Sequence, residues 1–258
     1  MDHLETEIED LHQGLVRLNK FLALSGVGSR RKNDELILSG VVKVNGKIVK
    51  ELGTKVDAAH DRVTVNGKPV AQARRSLYIL LNKPKDTITT LNDERGRHTV
   101  MEYVRVRDRV YPVGRLDRDT TGVLLLTNDG ELAHALTHPR FEIEKLYRAR
   151  LDKGMLDEDL KKIRKGVRLT DGIARAHQVA VIPGSRRQEI LITVHEGRNR
   201  LVRRMFEALG YDVKRLERLQ FAGLTTQGVA RGKWRHLSRD EVRYLRQLIR
   251  SRTNAEKL

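Results

Sequence analysis

The sequence predicts an α+β protein in two parts. A small basic module over residues 16–75 precedes a larger domain over 77–250, built on a mostly antiparallel sheet with flanking helices. Three observations predict it. Short strand runs and tight-turn signals crowd residues 41–67, whereas the later chain mixes longer helical and strand patterns. Between the two lies Ala71-Gln-Ala-Arg-Arg-Ser76, short, polar and basic, as linkers are. The chain is 39% hydrophobic yet carries 51 Lys and Arg against 34 Asp and Glu, a formal net charge of +17. That combination describes packed domains with a basic surface, not a disordered chain.

Residues 1–15 hold Asp2, Glu5, Glu7, Glu9 and Asp10 and no Lys or Arg, which reads as a solvated, flexible acidic tail. The positive charge therefore belongs to the chain from residue 16 onward. A first helix is expected over Arg17–Ser25, with Leu18, Phe21 and Leu22 at helical spacing and Gly26 and Gly28 ending it. Ser29 is a plausible N-cap for a second helix that stops at Gly40. Val41-Val-Lys-Val-Asn-Gly46 and Arg62-Val-Thr-Val-Asn-Gly67 are strands that each end in Asn-Gly, the strongest short turn signal. Arg17 and Lys20 share one side of the first helix; Arg30 and Arg31 sit at the start of the second, where the helix dipole favours phosphate. Lys43 and Lys47 add to this face, and Ser29 stands beside it. In Arg17-Leu-Asn-Lys-Phe-Leu, Gly28-Ser-Arg-Arg31, Gly40-Val-Val-Lys-Val-Asn-Gly46 and Asp61-Arg-Val-Thr-Val the module resembles the S-four-type RNA-binding domain, which implies RNA contact by these residues.

In the larger domain, Leu77–Asn82 is a buried-type strand stopped by Pro84, and Val123–Thr127 is another. Asn128 with Glu131 reads as a capping box opening a helix that ends by His138-Pro139. Tyr147–Leu151 alternates as a strand, and Asp157–Lys165 is an exposed helix. Ala174–Ile182 and Glu189–Val194 are strand-like. Asn199–Leu209 is a helix with Val202, Met205, Phe206 and Leu209 as its core stripe and Gly210 just past its end. Ser238 and Glu241 cap a last helix to about Arg250, and 251–258 is expected to be flexible.

The charge calls for a polyanionic partner, and nucleic acid fits better than a membrane, because no apolar run approaches the length of a span. The absence of cysteine excludes disulfides and thiolate metal sites; with an acidic N-terminus that lacks an apolar signal segment, it fits the reducing cytoplasm. His134 and His138 are four apart on a helix, but no third ligand is evident and no metal is expected. No Gly-rich loop follows a strand, so neither a nucleotide cofactor nor a cofactor-dependent methyltransferase is expected.

Three clusters could carry chemistry. In Gly114-Arg-Leu-Asp117 a carboxylate stands just before a buried strand, which is costly unless the group is paired or used. The ordinary fate of a loop Asp is a turn or cap, and Asp119 two residues on gives no sign of a converging carboxylate pair. In Lys145-Leu-Tyr-Arg148 a tyrosine beside basic residues could stack on a base, or simply fill a core. In Glu196–Met205, Arg198, Arg200, Arg203 and Arg204 crowd a helix entry, where they repel one another unless anions relieve them; RNA phosphate and Asp117 are the expected anions.

Asn82-Lys-Pro84, Gly114-Arg-Leu-Asp117 with Thr120, Gly122 and Leu124–Gly130, Lys145-Leu-Tyr147 and Gly197–Phe206 together resemble the motifs of bacterial ribosomal RNA pseudouridine synthases that carry an N-terminal S-four-type domain. Two positions depart from the pattern: Leu201, where a polar residue is common, and Asp86, where Gly is usual. The resemblance implies a cofactor-free isomerisation of uridine in ribosomal RNA, in the large subunit rather than the small, presented free or in an assembling ribosomal particle. It implies that Asp117 is catalytic, as nucleophile or as base toward the ribose, that Tyr147 packs on the target base and that Arg203 pairs with Asp117. It extends the expected RNA contacts to Lys83, Arg115, Lys145, Arg198 and Arg200. The alternative is a non-catalytic RNA-binding ribosome-assembly factor, which would not need Asp117, Tyr147 and Arg203 together.

Overall fold

The computed structural model of the chain describes residues 14–70, 76–91, 93 and 95–255, in two compact units that part between Ser76 and Leu77. The expected acidic tail up to residue 13 and the expected linker at 71–75 lie outside the described residues.

The first unit contains β1 (Leu15–Arg17), α1 (Leu18–Leu24), α2 (Arg30–Leu38), β2 (Val42–Val44), β3 (Lys47–Ile48), β4 (Lys55–Asp57), β5 (Val63–Val65) and β6 (Lys68–Pro69). β1 pairs with β4, and the other strands form an antiparallel sheet in the order β3-β2-β5-β6. Both Asn-Gly steps close two-residue hairpins. Asn45 and Gly46 have φ of 50° and 81°, and Asn66 and Gly67 have 49° and 76°. A tight hairpin demands two successive left-handed residues, and these two types meet that demand with least strain. Leu18, Phe21 and Leu22 of α1 pack with Ile37 of α2 and with Val42, Val56 and Val63 of the strands. The Ser29 hydroxyl caps α2, accepting from the Lys32 backbone N–H at 3.2 Å. α1 begins one residue later than expected, because Arg17 pairs with Lys55 as the end of β1.

The second unit contains β7 (Tyr78–Lys83), β8 (Tyr111–Pro112), β9 (Thr120–Thr127), α3 (Gly130–Thr137), β10 (Lys145–Leu151), α4 (Asp157–Lys165), β11 (Val167–Leu169), β12 (Gly172–Ala174), β13 (Gln178–Val181), β14 (Glu189–Val194), α5 (Leu201–Glu207), β15 (Val213–Phe221), β16 (Leu224–Thr225), β17 (Trp234–His236) and α6 (Arg239–Ala255). Its main sheet runs β13-β14-β10-β15-β9-β7-β17, with β16 on β15 and β8 on β9. Every pairing in it is antiparallel except β9 with β15. At that parallel contact a Cβ on Gly122 would fall 2.1 Å from the Arg218 carbonyl oxygen, so only glycine lets the strands approach. Apolar clusters cover both faces of the sheet, one of them built around Met205, Phe206 and Ile192 and another around Leu125, Leu136 and Phe221.

Several expectations need correcting. The cap of α3 is Asp129, whose side chain accepts from the Leu132 N–H; Asn128 instead accepts from the Leu77 N–H across the sheet. The stretch 174–182 is split between β12 and β13. α5 starts at Leu201, because Arg200 adopts a left-handed conformation with φ 49°. The C-terminal helix continues to Ala255, beyond its expected end near Arg250, and residues 256–258 of the expected flexible terminus lie outside the described residues. The two family departures also gain physical accounts. Leu201 is buried in the core, and Asp86 sits at φ 59°, the conformation glycine adopts freely, with an exposed ion pair to Arg118 at 3.0 Å.

Candidate active site

The loop between β8 and β9 delivers Asp117 to a cleft of about 520 Å³. Two anchors fix it. The Thr89 hydroxyl donates to the Leu116 carbonyl at 2.8 Å and accepts from the Leu116 N–H at 3.2 Å. The Lys83 ammonium, at the end of β7, lies within 3.2 Å of the carbonyls of Pro84, Asp117, Arg118 and Thr120. Lys83 is 0% exposed, so the expectation that it touches RNA is wrong. A buried ammonium is tolerated only where acceptors replace its water, and here the backbone around Asp117 supplies them.

Two arginines face the carboxylate. Arg200 Nη1 and Arg203 Nε each lie 4.0 Å from Asp117 Oδ2. They are held differently. The Arg203 side chain is 9% exposed; its Nη1 donates to the Val213 carbonyl at 2.7 Å, and its Nε, shielded from solvent, has no hydrogen-bond partner. The Arg200 side chain is 46% exposed and also reaches Glu207. Asp117 itself is 30% exposed, open to a ligand and flanked on one side by a fixed guanidinium. Tyr147 of β10 lines the same cleft, where a register shift between Leu146 and Tyr147 interrupts the pairing with β15. Such bulges re-aim side chains. Arg218 of β15 is a cleft residue that sequence reasoning missed. It is 2% exposed, with Nε donating to the Val123 carbonyl and its guanidinium 4.6 Å from the Phe221 ring.

Other residues expected to contact RNA also have partners inside the protein. The Lys145 ammonium donates to the Ile143 and His195 carbonyls, at 2.8 and 2.6 Å, beside the cleft. Arg198 is engaged by Glu196, Asp171 and the Ile173 carbonyl, and Arg204 by Asp171 at 2.9 Å. Within the protein, the carboxylates that face the arginine cluster are therefore Asp171, Glu196 and Glu207, together with Asp117. Arg115 remains exposed on the cleft wall. In the first unit Arg30, Arg31, Lys43 and Lys47 are exposed, Ser29 is exposed but caps its helix, and Arg17 and Lys20 are half-buried. His138 accepts from the Arg140 N–H and its ring lies 5.1 Å from that of His134.

Burial pushes the Lys83 ammonium down to about 8, and does the same to Lys145, from an ordinary value of 10.5. Folding then releases protons between those values, so each group makes the fold more stable as pH rises through that window. The loop responds oppositely. A neutral amine has two N–H donors where the ammonium had three, and four carbonyls surround Lys83. Turnover should therefore fall above about pH 8 while the urea midpoint does not. Parallel rate and denaturation series in pH check this; a midpoint that fell with the rate would point to global unfolding.

Residues 77–208 match the family described as RNA pseudouridylate synthase, and residues 16–61 match the S4 domain. The chain is 44% identical over 243 residues to the ribosomal large subunit pseudouridine synthase B of Bacillus subtilis, covering 93% of this chain and 99% of that protein. It is 36% identical over 248 residues to the protein of the same name from Vibrio cholerae, covering 93% of this chain and 77% of the relative. A solved structure described as a pseudouridylate synthase superposes with a TM-score of 0.64 at 27% identity, covering 89% of this chain and 99% of that one.

Proposed function

Because this chain belongs to the RNA pseudouridylate synthase family, we propose that it converts a uridine of ribosomal RNA, in the large subunit, to pseudouridine. The observation that carries the site assignment is Asp117, held on a carbonyl-anchored loop with Arg203 fixed 4.0 Å from its Oδ2. The uridine leaves its stack and enters the cleft, at a cost of a few kcal/mol. Tyr147 packs on the base and Asp117 acts on the nucleoside, at the base or at the ribose. The bond from N1 to C1′ breaks, the uracil turns while still held, and C5 joins C1′. The hydrogen on C5 leaves and N1 gains one, so the product is an isomer and no oxidant or cofactor is consumed. The Arg203 guanidinium, shielded from solvent, stabilises an ionised carboxylate there and, with its Val213 hydrogen bond, fixes the wall behind it. A cytoplasmic setting and a substrate presented in an assembling particle are part of the same reading. No helix among the described residues is long and apolar enough to cross a membrane.

Loss of the C5 hydrogen supplies the test. Transcripts of large- and small-subunit ribosomal RNA carrying tritium at uridine C5 should release it to water on incubation with the chain, the large-subunit transcript faster. No release from either would remove the isomerase assignment, and faster release from the small-subunit transcript would reverse the substrate.

The first unit is expected to supply affinity rather than chemistry. Replacing Arg30 or Arg31 by Gln should flatten the salt dependence of RNA binding by about one unit per lost phosphate contact, with little change in single-turnover rate at saturation. Filter binding over a range of salt concentrations measures the slope; an unchanged slope would assign these exposed arginines elsewhere.

A further inference from the structure

A second constellation lies outside the cleft. Glu144 immediately precedes β10, His177 immediately precedes β13, and His195 immediately follows β14. Those strands are neighbours in the order β13-β14-β10, antiparallel, so three residues far apart in sequence meet at one end of the sheet. Their backbones are held. The His177 N–H donates to the Thr193 carbonyl at 2.8 Å, the Lys145 ammonium grips the His195 carbonyl at 2.6 Å, and the Glu144 carbonyl accepts from the Ala222 N–H at 3.1 Å.

The side chains converge as well. Glu144 Oε1 lies 3.6 Å from His195 Nε2 and 3.9 Å from His177 Nε2, and the three ligand atoms all lie within 4.8 Å of one another. The two imidazole rings are 4.6 Å apart, tilted by 31°. His195 Nε2 is shielded from solvent and has no hydrogen-bond partner. A buried ring nitrogen without a partner is costly, and the nearest carboxylate oxygen stands just too far away to satisfy it. Tetrahedral ligands at about 2.0–2.1 Å from Zn²⁺ stand roughly 3.3 Å from one another, so small side-chain movements would close this set around an ion.

We propose that Glu144, His177 and His195 bind one transition-metal dication, Zn²⁺ being the best match to a two-imidazole, one-carboxylate set. The remaining coordination position is water's, since the site is open to solvent through Glu144 and His177, each 48% exposed. None of the three lines the cleft that holds Asp117, so the ion takes no part in the isomerisation, and the proposal stands apart from that reading. Its role is to tie three strand ends together directly before Glu196 and Arg198, which do line the cleft.

The test uses the full chain without a histidine tag, stripped with chelator and dialysed. Titration with Zn²⁺ alone in a calorimeter should show one site per chain at micromolar affinity or tighter, and Co²⁺ should give the visible absorption of a four-coordinate N/O site. His177→Ala, His195→Ala and Glu144→Gln should each weaken binding at least tenfold, while His134→Ala leaves it unchanged. Zn²⁺ at about a hundred times its Kd should raise Tm by roughly 5 °C in the parent and not in His195→Ala. Melting of each variant without metal shows that it is folded. Absence of a saturable site at about 100 μM Zn²⁺, or equal binding by the folded His177→Ala and His195→Ala variants, would overturn the proposal and leave an ordinary stacked histidine pair.

Discussion

Asp117→Asn is expected to lower the single-turnover rate of isomerisation by roughly a thousandfold or more, about 4 kcal/mol of transition-state stabilisation. The amide is nearly isosteric. Lys83 and Thr89 grip the backbone of this loop, not the carboxylate, so the loop keeps its place. What is lost is the anion, which alone can attack a carbon or take a proton at this position. Affinity for RNA should stay within about twofold, because binding draws on the basic surface, and removing one negative charge does not weaken contact with a polyanion. Single-turnover rates and binding curves on the same RNA check both halves. Turnover by the variant within about tenfold of the parent would move the chemistry to another residue.

Arg203→Met is expected to cost roughly 30- to 100-fold in rate, with Arg203→Lys recovering only part. Two charges 4.0 Å apart attract by about 4 kcal/mol at an effective dielectric of about 20. Arg200 stands at the same distance and retains part of that, though its exposure screens it, so a net loss of about 2–3 kcal/mol is the reasonable size. A lysine restores the charge but cannot hold Val213 and face Asp117 together, as the forked guanidinium does. Arg204→Met removes the ion pair to Asp171, and since neither residue lines the cleft that holds Asp117, it should keep the rate within a few-fold. Far-UV spectra and urea midpoints separate loss of rate from loss of fold. If Arg204→Met were the inactive variant and Arg203→Met the active one, the pairing at Asp117 would be misassigned.

Where local chemistry decides the structure, the sequence was legible. Asn45-Gly46 and Asn66-Gly67 can close tight hairpins because both residues accept positive φ, and they do. Ser29 caps its helix, and Asp157–Lys165 and Glu189–Val194 run between the expected bounds. Partners distant in sequence were harder to read. β15 is the central strand that places Arg218 in the cleft, but Val213-Lys-Arg-Leu-Glu-Arg-Leu is too charged to stand out as a buried strand, and its parallel partner β9 lies some ninety residues earlier. Lys83 and Lys145 look like phosphate ligands because lysine rarely lies buried, and only the fold shows the carbonyls that hold them. Arg198 and Arg204 looked unpaired because Asp171, their shared anion, is about thirty residues away in the chain. Choosing Asp129 over Asn128 as the cap of α3 likewise turned on a cross-strand demand, the Leu77 N–H that Asn128 serves.

The most direct measurement is a map of pseudouridine in ribosomal RNA from cells lacking the gene for this chain, complemented with the parent or with Asp117→Asn. One or a few uridines of the large-subunit RNA should lose the modification in the deletion, regain it with the parent and remain unmodified with Asp117→Asn. An unchanged map in the deletion, or full restoration by Asp117→Asn, would contradict the account.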